Sequence, residues 1–403
     1  MNESFEWLAA QGRQYGESFY ILDTERFRQN YRELTEAFRR LYPRFAIAYS
    51  YKTNYIPRLC RIVNELGGYA EVVSGMEYQI ARHSGVPAER VIYNGPCKDA
   101  ATLRELLRGG GTANLDSLDD LTRVIDIARE QPSATLRVGL RVNFPVGDGV
   151  RSRFGFDGEG DDFRTALDTL RHQPNLRLTG LHCHFACRRL DTWRPRAEGM
   201  LALLDRFGLT PERIDLGGGL FGKMEQSLRA QFDTPIPTYA EYAEAVCGVL
   251  AARYASDGPL LLLEPGSALV GDCMRLAARV QSVKTVRGQA IATVLASEYN
   301  LHMGAKNPPV AVYARPGGNG TDAAWDIAGY TCIEGDYLAR GYRGRLAVGD
   351  YVVFGNVGSY SIVFKPPFIL PNFAVIEADA RGQTRLLKRA ETFDDLFQTY
   401  DFA

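Results

Sequence analysis

The residues with chemical capacity sit at the ends of short apolar runs. In AIAYSYKTNY (46–55) a strand-like run of small and aromatic residues stops on Lys52, one of only seven lysines in the chain. A lysine drawn into a poorly solvated site gives up its proton more readily, because desolvation disfavours the charged form. The neutral amine attacks carbonyl carbon and forms a Schiff base. From position alone, the same lysine also reads as one that snorkels out to solvent. IDLGGGLFG (214–222) places Gly217, Gly218 and Gly219 directly after another run. Backbone without side chains lets successive N–H groups close on an anion, although three glycines also make an ordinary turn. LLLLEPG (260–266) ends its run on Glu264, which suits a helix cap, an ion-pair partner or an acid facing a ring nitrogen.

GLHCHF (180–185) carries His182 and His184 two residues apart, on one face of a strand. That spacing fits a metal pair, or a flat ring stacked on a flat ligand. No further cluster of His, Cys or Asp with metal spacing accompanies it, so no metal is expected. CIEGD (332–336) sets Cys332 beside Glu334 and Asp336 in a polar turn. Taken alone, such a cysteine is more often a small buried residue than a catalytic acid.

The elements that must position these residues alternate. Strand-like runs fall at 46–51, 69–73, 90–94, 113–115, 136–141, 178–184, 213–216 and 260–264, with helical patterns between most of them. IPRLCRIVNELGG, for example, puts Ile56, Leu59, Ile62, Val63 and Leu66 on one face and stops on glycine. Strand and helix in alternation mean parallel strands joined by crossovers. Eight such runs match a (β/α)8 barrel, with an open doubly wound sheet as the rival. In a barrel the chemistry collects where strands end at one face. Those ends are Lys52, Ser74 with Glu77, Asn94, Asp116, Arg141 with Asn143, His182 and His184, the three glycines, and Glu264. After about residue 270 the texture becomes strands and turns, which predicts a second, mostly β domain.

The ordered set crosses a threshold that no member crosses alone. Lys52, SRFGFD (152–157), GLHCHF, GGG, EPG, CIEGD and finally VGSYSIVF with Tyr360 follow one another along the chain. The order resembles the alanine-racemase-like (fold type III) pyridoxal 5'-phosphate enzymes, and more narrowly the diaminopimelate, ornithine and arginine decarboxylases. The resemblance implies an α/β architecture: a cofactor-binding (β/α)8 barrel at 28–265, and a β domain from 1–27 and 266–403 that contributes to the active site and the dimer. Lys52 would carry the cofactor, His184 would stack on its ring, and Arg141 would lie behind the histidine. Gly217, Gly218 and Gly219 would bind the phosphate with help from Tyr360, and Glu264 would pair with the ring nitrogen. Cys332 would reach the site from the partner subunit of a homodimer and return a proton, with Glu334 and Asp336 near the amino-acid substrate.

Three positions depart from the family pattern. Cys187 stands where a phosphate-contacting serine is usual, and Ser267 where an arginine follows EPG. LASEYNLHMG, around Glu298 and Asn300, replaces a stretch that commonly ends D-x-G. With lysine, glutamate and cysteine kept, the expectation is α-decarboxylation. With the anchors changed, the substrate is expected to be an amino acid or conjugate other than plain diaminopimelate or ornithine, in a route such as siderophore or other natural-product synthesis. The alternatives are a diaminopimelate decarboxylase of lysine biosynthesis, a same-fold racemase with a second base, a lone-barrel cofactor carrier, and a metal-dependent barrel hydrolase built on His182 and His184.

Composition bounds the rest. A chain of 403 residues points to two domains, and a net charge of −1 gives no bulk electrostatic case for nucleic acid or an acidic membrane. Seven scattered cysteines without a CxxC pair read as reduced cytoplasmic thiols. The acidic start MNESFEWLAAQGRQYG lacks the basic and apolar regions of a signal peptide, and no run has the length of a membrane span.

Overall fold

A computed structural model describes residues 3–254, 257–301 and 307–402. The chain divides into two compact units, one of residues 30–221 and 234–268, the other of 1–29, 222–233 and 269–403.

The first unit is a closed barrel of eight parallel strands. They are β1 (Phe45–Ser50), β2 (Tyr69–Val72), β3 (Val91–Tyr93), β4 (Thr112–Leu115), β5 (Leu136–Asn143), β6 (Leu176–His182), β7 (Arg213–Asp215) and β8 (Leu260–Leu263). Each pairs in parallel with its sequence neighbour, and β8 returns to β1 to close the ring. All eight expected runs are strands, and closure excludes the open sheet. The strands read as unbroken apolar runs because a parallel sheet between helices is buried on both faces; LLLL of β8 is the extreme case. IPRLCRIVNELGG folds as the helix Pro57–Glu65, with proline opening it and Leu59, Cys60, Ile62 and Val63 buried. The helices after β2 and β4 are each capped by a serine, Ser74 and Ser117, whose hydroxyls accept from the amides of Glu77 and Asp120.

A charged pair is enclosed in this unit. The Lys98 ammonium donates to Asp120 at 2.7 Å and to the Gly95 carbonyl at 2.5 Å, with both side chains fully buried. Burial pulls the Lys98 pKa down, against the pull of Asp120. Replacing Lys98 leaves the buried Asp120 carboxylate to weaker partners, the largely exposed Arg123 guanidinium at 3.2 Å and the Asp116 amide at 3.1 Å. Lys98→Met is therefore expected to lower unfolding stability by about 3–5 kcal/mol. The double variant Lys98→Met/Asp120→Leu should recover much of that loss. Chemical-denaturant midpoints check both, and a single variant as stable as the parent would contradict the assignment.

The second unit holds a nine-stranded sheet among the described residues. The early strand Ser18–Leu22 belongs here, antiparallel to Met274–Val286 and parallel to Ala374–Ala378. The segment 222–233 also groups here, although it falls inside the range expected for the barrel. Reciprocal hydrogen bonds between Gln231 and the Asn307 backbone, both 2.9 Å, account for that. No helix among the described residues is long and apolar enough to cross a membrane.

Candidate active site

The C-terminal ends of the barrel strands converge on a cavity of about 230 Å³ whose lining includes Lys52, Glu71, Asn94, Arg141, His184 and Glu264. Lys52 sits in the single turn Tyr51–Thr53 that follows β1. Its ammonium meets Glu71 at 2.5 Å, and the side chain stays 33% exposed. The lysine at the strand end is thus neither enclosed in apolar surroundings nor free to swing into solvent. It is held by a carboxylate from the next strand.

Glu71 itself is fully buried within β2 and accepts from the Ser50 hydroxyl at 2.6 Å and the Asn94 amide at 3.1 Å. Asn94, just past β3, donates at 2.5 Å to Glu264 and accepts from Asn114 at 2.8 Å. A chain of hydrogen bonds therefore runs from the lysine across the barrel mouth to the carboxylate after β8. Burial and the Glu71 charge push nearby Glu77 up to about 7.

Glu264 is buried, which alone would favour its neutral form. The charge and hydrogen bond of His182, with the charge of Lys52, overcome burial and hold the carboxyl well below its ordinary range. Asp215, at the end of β7, goes the other way: burial and the Glu264 charge push it well above the usual carboxylate range. Two enclosed carboxyls cannot both be ionised cheaply, and here the proton belongs to Asp215. His182 faces Glu264 through Nε2 at 3.2 Å. His184 accepts the Gly218 N–H on Nδ1 at 3.0 Å, so that nitrogen carries no proton. Burial pulls the ring's pKa down, in keeping with a neutral imidazole. The two histidines of GLHCHF consequently do different jobs and do not form a metal pair. His182, Asp215 and Glu264 do bring three ligating atoms within 4.8 Å of one another. Both Glu264 oxygens, however, already accept, from Asn94 and His182, and Asp215 Oδ1 accepts from the Gly217 amide, while Asp215 Oδ2 has no hydrogen-bond partner among the described residues.

Arg141 pairs with Asp116 at 3.4 Å, and its guanidinium lies 4.5 Å from the Phe154 ring centroid. SRFGFD therefore serves to set an aromatic face against this arginine. The glycine loop is backed by protein on all three residues. A Cβ would meet the Cys183 carbonyl at 2.4 Å from Gly217, the Glu264 carbonyl at 2.5 Å from Gly218, and the Phe185 carbonyl at 2.9 Å from Gly219. Gly217 and Gly219 also have φ of +68° and +94°, which side chains rarely adopt.

The remaining expected residues belong to the β-rich unit. Tyr360 has φ +63° and opens the short helix Ser361–Phe364. Cys332 and Glu334 are exposed. Asp336 is anchored within its own unit. It is buried, and its carboxylate accepts from Ser297 Oγ and the Glu298 amide on one oxygen and from the Thr331 hydroxyl and amide on the other. Four such bonds consume it as the tie between two turns. Glu298 and Asn300 lie in the first of those turns, and residues 302–304 of LASEYNLHMG lie outside the described residues. Sequence reasoning passed over Glu71, Asn114 and Asp215. The signal for Glu71 was a carboxylate inside the apolar run YAEVV.

These features fit pyridoxal 5'-phosphate: an amine for its aldehyde, an ionised carboxylate for its ring nitrogen, a neutral imidazole for its ring face, and a side-chain-free loop for its phosphate. The family model described as "Pyridoxal-dependent decarboxylase, pyridoxal binding domain" matches residues 28–271. The diaminopimelate decarboxylase of Methanothermobacter thermautotrophicus is 29% identical over 96% of this chain and 92% of its own length. That of Methanocaldococcus jannaschii is 26% identical over 95% and 90%. Among solved structures, the M. jannaschii diaminopimelate decarboxylase superposes with a TM-score of 0.88 at 24% identity, covering 98% of this chain and 94% of that one. A Vibrio vulnificus lysine/ornithine decarboxylase with putrescine gives 0.76 at 18% identity, over 93% and 98%. The chain belongs to the pyridoxal-dependent decarboxylases, enzymes that remove a carboxyl group from an amino acid with pyridoxal 5'-phosphate as cofactor.

Proposed function

We propose that this enzyme removes the α-carboxyl group of an amino acid or amino-acid conjugate whose distal group differs from those of diaminopimelate and ornithine. The observation that carries the chemistry is the convergence of Lys52, His184 and Glu264 on one cavity beside the glycine loop. When bound there, pyridoxal 5'-phosphate supplies the sink for the electron pair left by departing carbon dioxide. Lys52 offers the amine that holds the cofactor and yields to the substrate amine, while Glu71 fixes its direction. Glu264 presents a negative charge toward the ring nitrogen, and the proton on Asp215 lets it keep that charge. His184 supplies a flat, neutral face. Gly217, Gly218 and Gly219 hold the phosphate, with Tyr360 adding a hydroxyl. Arg141 braces the wall through Asp116 and Phe154. Cys332, from the partner subunit of a homodimer, returns the proton to the substrate carbon beside Glu334.

The substrate reading rests on Ser267 and Cys187, and on Asp336 being tied up within its own unit. A route such as siderophore assembly and a cytoplasmic site are parts of the same proposal. All seven cysteines are free thiols, as the second requires.

Carbon dioxide release from the cofactor-loaded enzyme tests this, with amino acids and their conjugates as the panel. Release from a conjugate or larger amino acid, with meso-diaminopimelate and ornithine slow, is the expected outcome. Rapid release from meso-diaminopimelate would refute the substrate reading. Exchange of the α-hydrogen without carbon dioxide would favour the racemase. Cys332→Ala should slow product formation by about 10²–10⁴-fold, the usual worth of a positioned proton donor. Unchanged turnover and product would remove Cys332 from the mechanism.

A further inference from the structure

Among the described residues, Arg196 is a buried cation with no acid in hydrogen-bond or ion-pair contact. It lies in the first turn of the helix Trp193–Phe207 and is fully buried. Among the described residues, its hydrogen bonds all go to carbonyl oxygens: Nη1 to Gly218 at 2.7 Å, Nη2 to Phe185 at 3.2 Å and to Cys187 at 2.5 Å. Its guanidinium also lies 4.1 Å from the Trp193 ring centroid. Three circumstances disfavour a positive charge here. It is desolvated, it has no carboxylate partner, and it stands at the positive end of a helix. Carbonyl dipoles and an aromatic face compensate only in part. An anion nearby would supply the missing charge.

The geometry shows where that anion would sit. The three carbonyls belong to the two loops that follow β6 and β7. A trans peptide points its N–H opposite to its C=O, and no peptide among the described residues is cis. Drawing the oxygens of Phe185, Cys187 and Gly218 onto one guanidinium therefore turns the amides of Ala186, Arg188 and Gly219 the other way. None of those three amides donates a hydrogen bond among the described residues. Three such amides on two loops, one of them the glycine loop, with a buried charge behind them, offer donors to a dianion.

We propose that Arg196 is a positioning residue for the phosphate: it shapes both loops and supplies the cationic charge that Ser267 does not. The proposal rests on the reading that Gly217, Gly218 and Gly219 hold the cofactor's phosphomonoester.

The test compares pyridoxal 5'-phosphate with pyridoxal, which has the same aldehyde and ring but no phosphate. Apoenzyme of wild type, Arg196→Gln and Arg196→Lys is titrated with each and followed by absorbance. Arg196→Gln is expected to weaken the phosphorylated ligand by about tenfold or more, the worth of one or two charge-assisted bonds, and pyridoxal by less than about twofold. Arg196→Lys keeps the charge but cannot reach all three carbonyls, so it should lose less, again only for the phosphorylated ligand. Inorganic phosphate should raise the melting temperature of wild-type apoenzyme more than that of either variant. Equal losses for both ligands would mean a purely structural role and overturn the proposal. So would an Arg196→Lys protein that binds both as wild type does, which keeps the test decisive if Arg196→Gln fails to fold. Wild-type protein that did not prefer the phosphorylated ligand would instead refute the underlying placement of the phosphate.

Discussion

The Lys52→Ala protein is expected to lose turnover by on the order of ten-thousandfold or more, as when a covalent nucleophile without a substitute is removed. No other lysine lines the cavity among the described residues. Lys98 is the near rival in sequence, but Asp120 and the Gly95 carbonyl hold it in the interior. The substitution should leave the fold intact. Lys52 is partly exposed, and Glu71 keeps the Ser50 and Asn94 donors after the ammonium is gone. Three measurements separate loss of chemistry from loss of structure. Borohydride treatment of the cofactor-loaded wild type should add mass to the peptide containing residue 52, and the alanine variant should gain none. The unfolding midpoint should move little. Mass added elsewhere, or turnover within about tenfold of wild type, would show that the amine lies on another residue.

The barrel was legible because its strands are short, apolar and separated by amphipathic helices, so that each strand end falls on a polar residue. Lys52, His184 and Glu264 stand out for that reason: polarity at the end of a buried run has few structural uses. Glu71 and Asp215 carry the same chemistry yet look different. Glu71 sits inside β2, and Asp215 precedes three conspicuous glycines that draw attention past it. Their roles are relational. Glu71 matters because Lys52 reaches it from the neighbouring strand, and Asp215 because the adjacent strand β8 brings Glu264 beside it. No spacing along the chain encodes either meeting. Arg196 was hidden for a further reason: an arginine in a helical stretch rich in arginine reads as solvent-facing until its burial is known. Asp336 shows the same limit from the other side. A motif can mark a carboxylate, but only three-dimensional contacts reveal the four donors that hold it.

Glu264→Gln is expected to lower kcat by about 10²–10³-fold, the usual cost of removing one preorganised group that meets developing charge. Glutamine keeps the size and one carbonyl acceptor, so the hydrogen bond from Asn94 can persist. What it lacks is the negative charge. That charge survives burial in the wild type because His182 and Lys52 favour it and because Asp215 takes the proton the pair must share. In the variant the Glu264 charge no longer opposes ionisation of Asp215, although burial, the larger cause, still does. Asp215 cannot replace Glu264 fully, since one of its oxygens is fixed by the Gly217 amide at 2.9 Å. A residual rate is therefore expected, and Glu264→Gln/Asp215→Asn should fall below the single variant. Cofactor binding should persist in both through Lys52 and the glycine loop, visible as a retained long-wavelength absorbance. A Glu264→Gln enzyme within about threefold of wild type would show that the reaction does not use this charge.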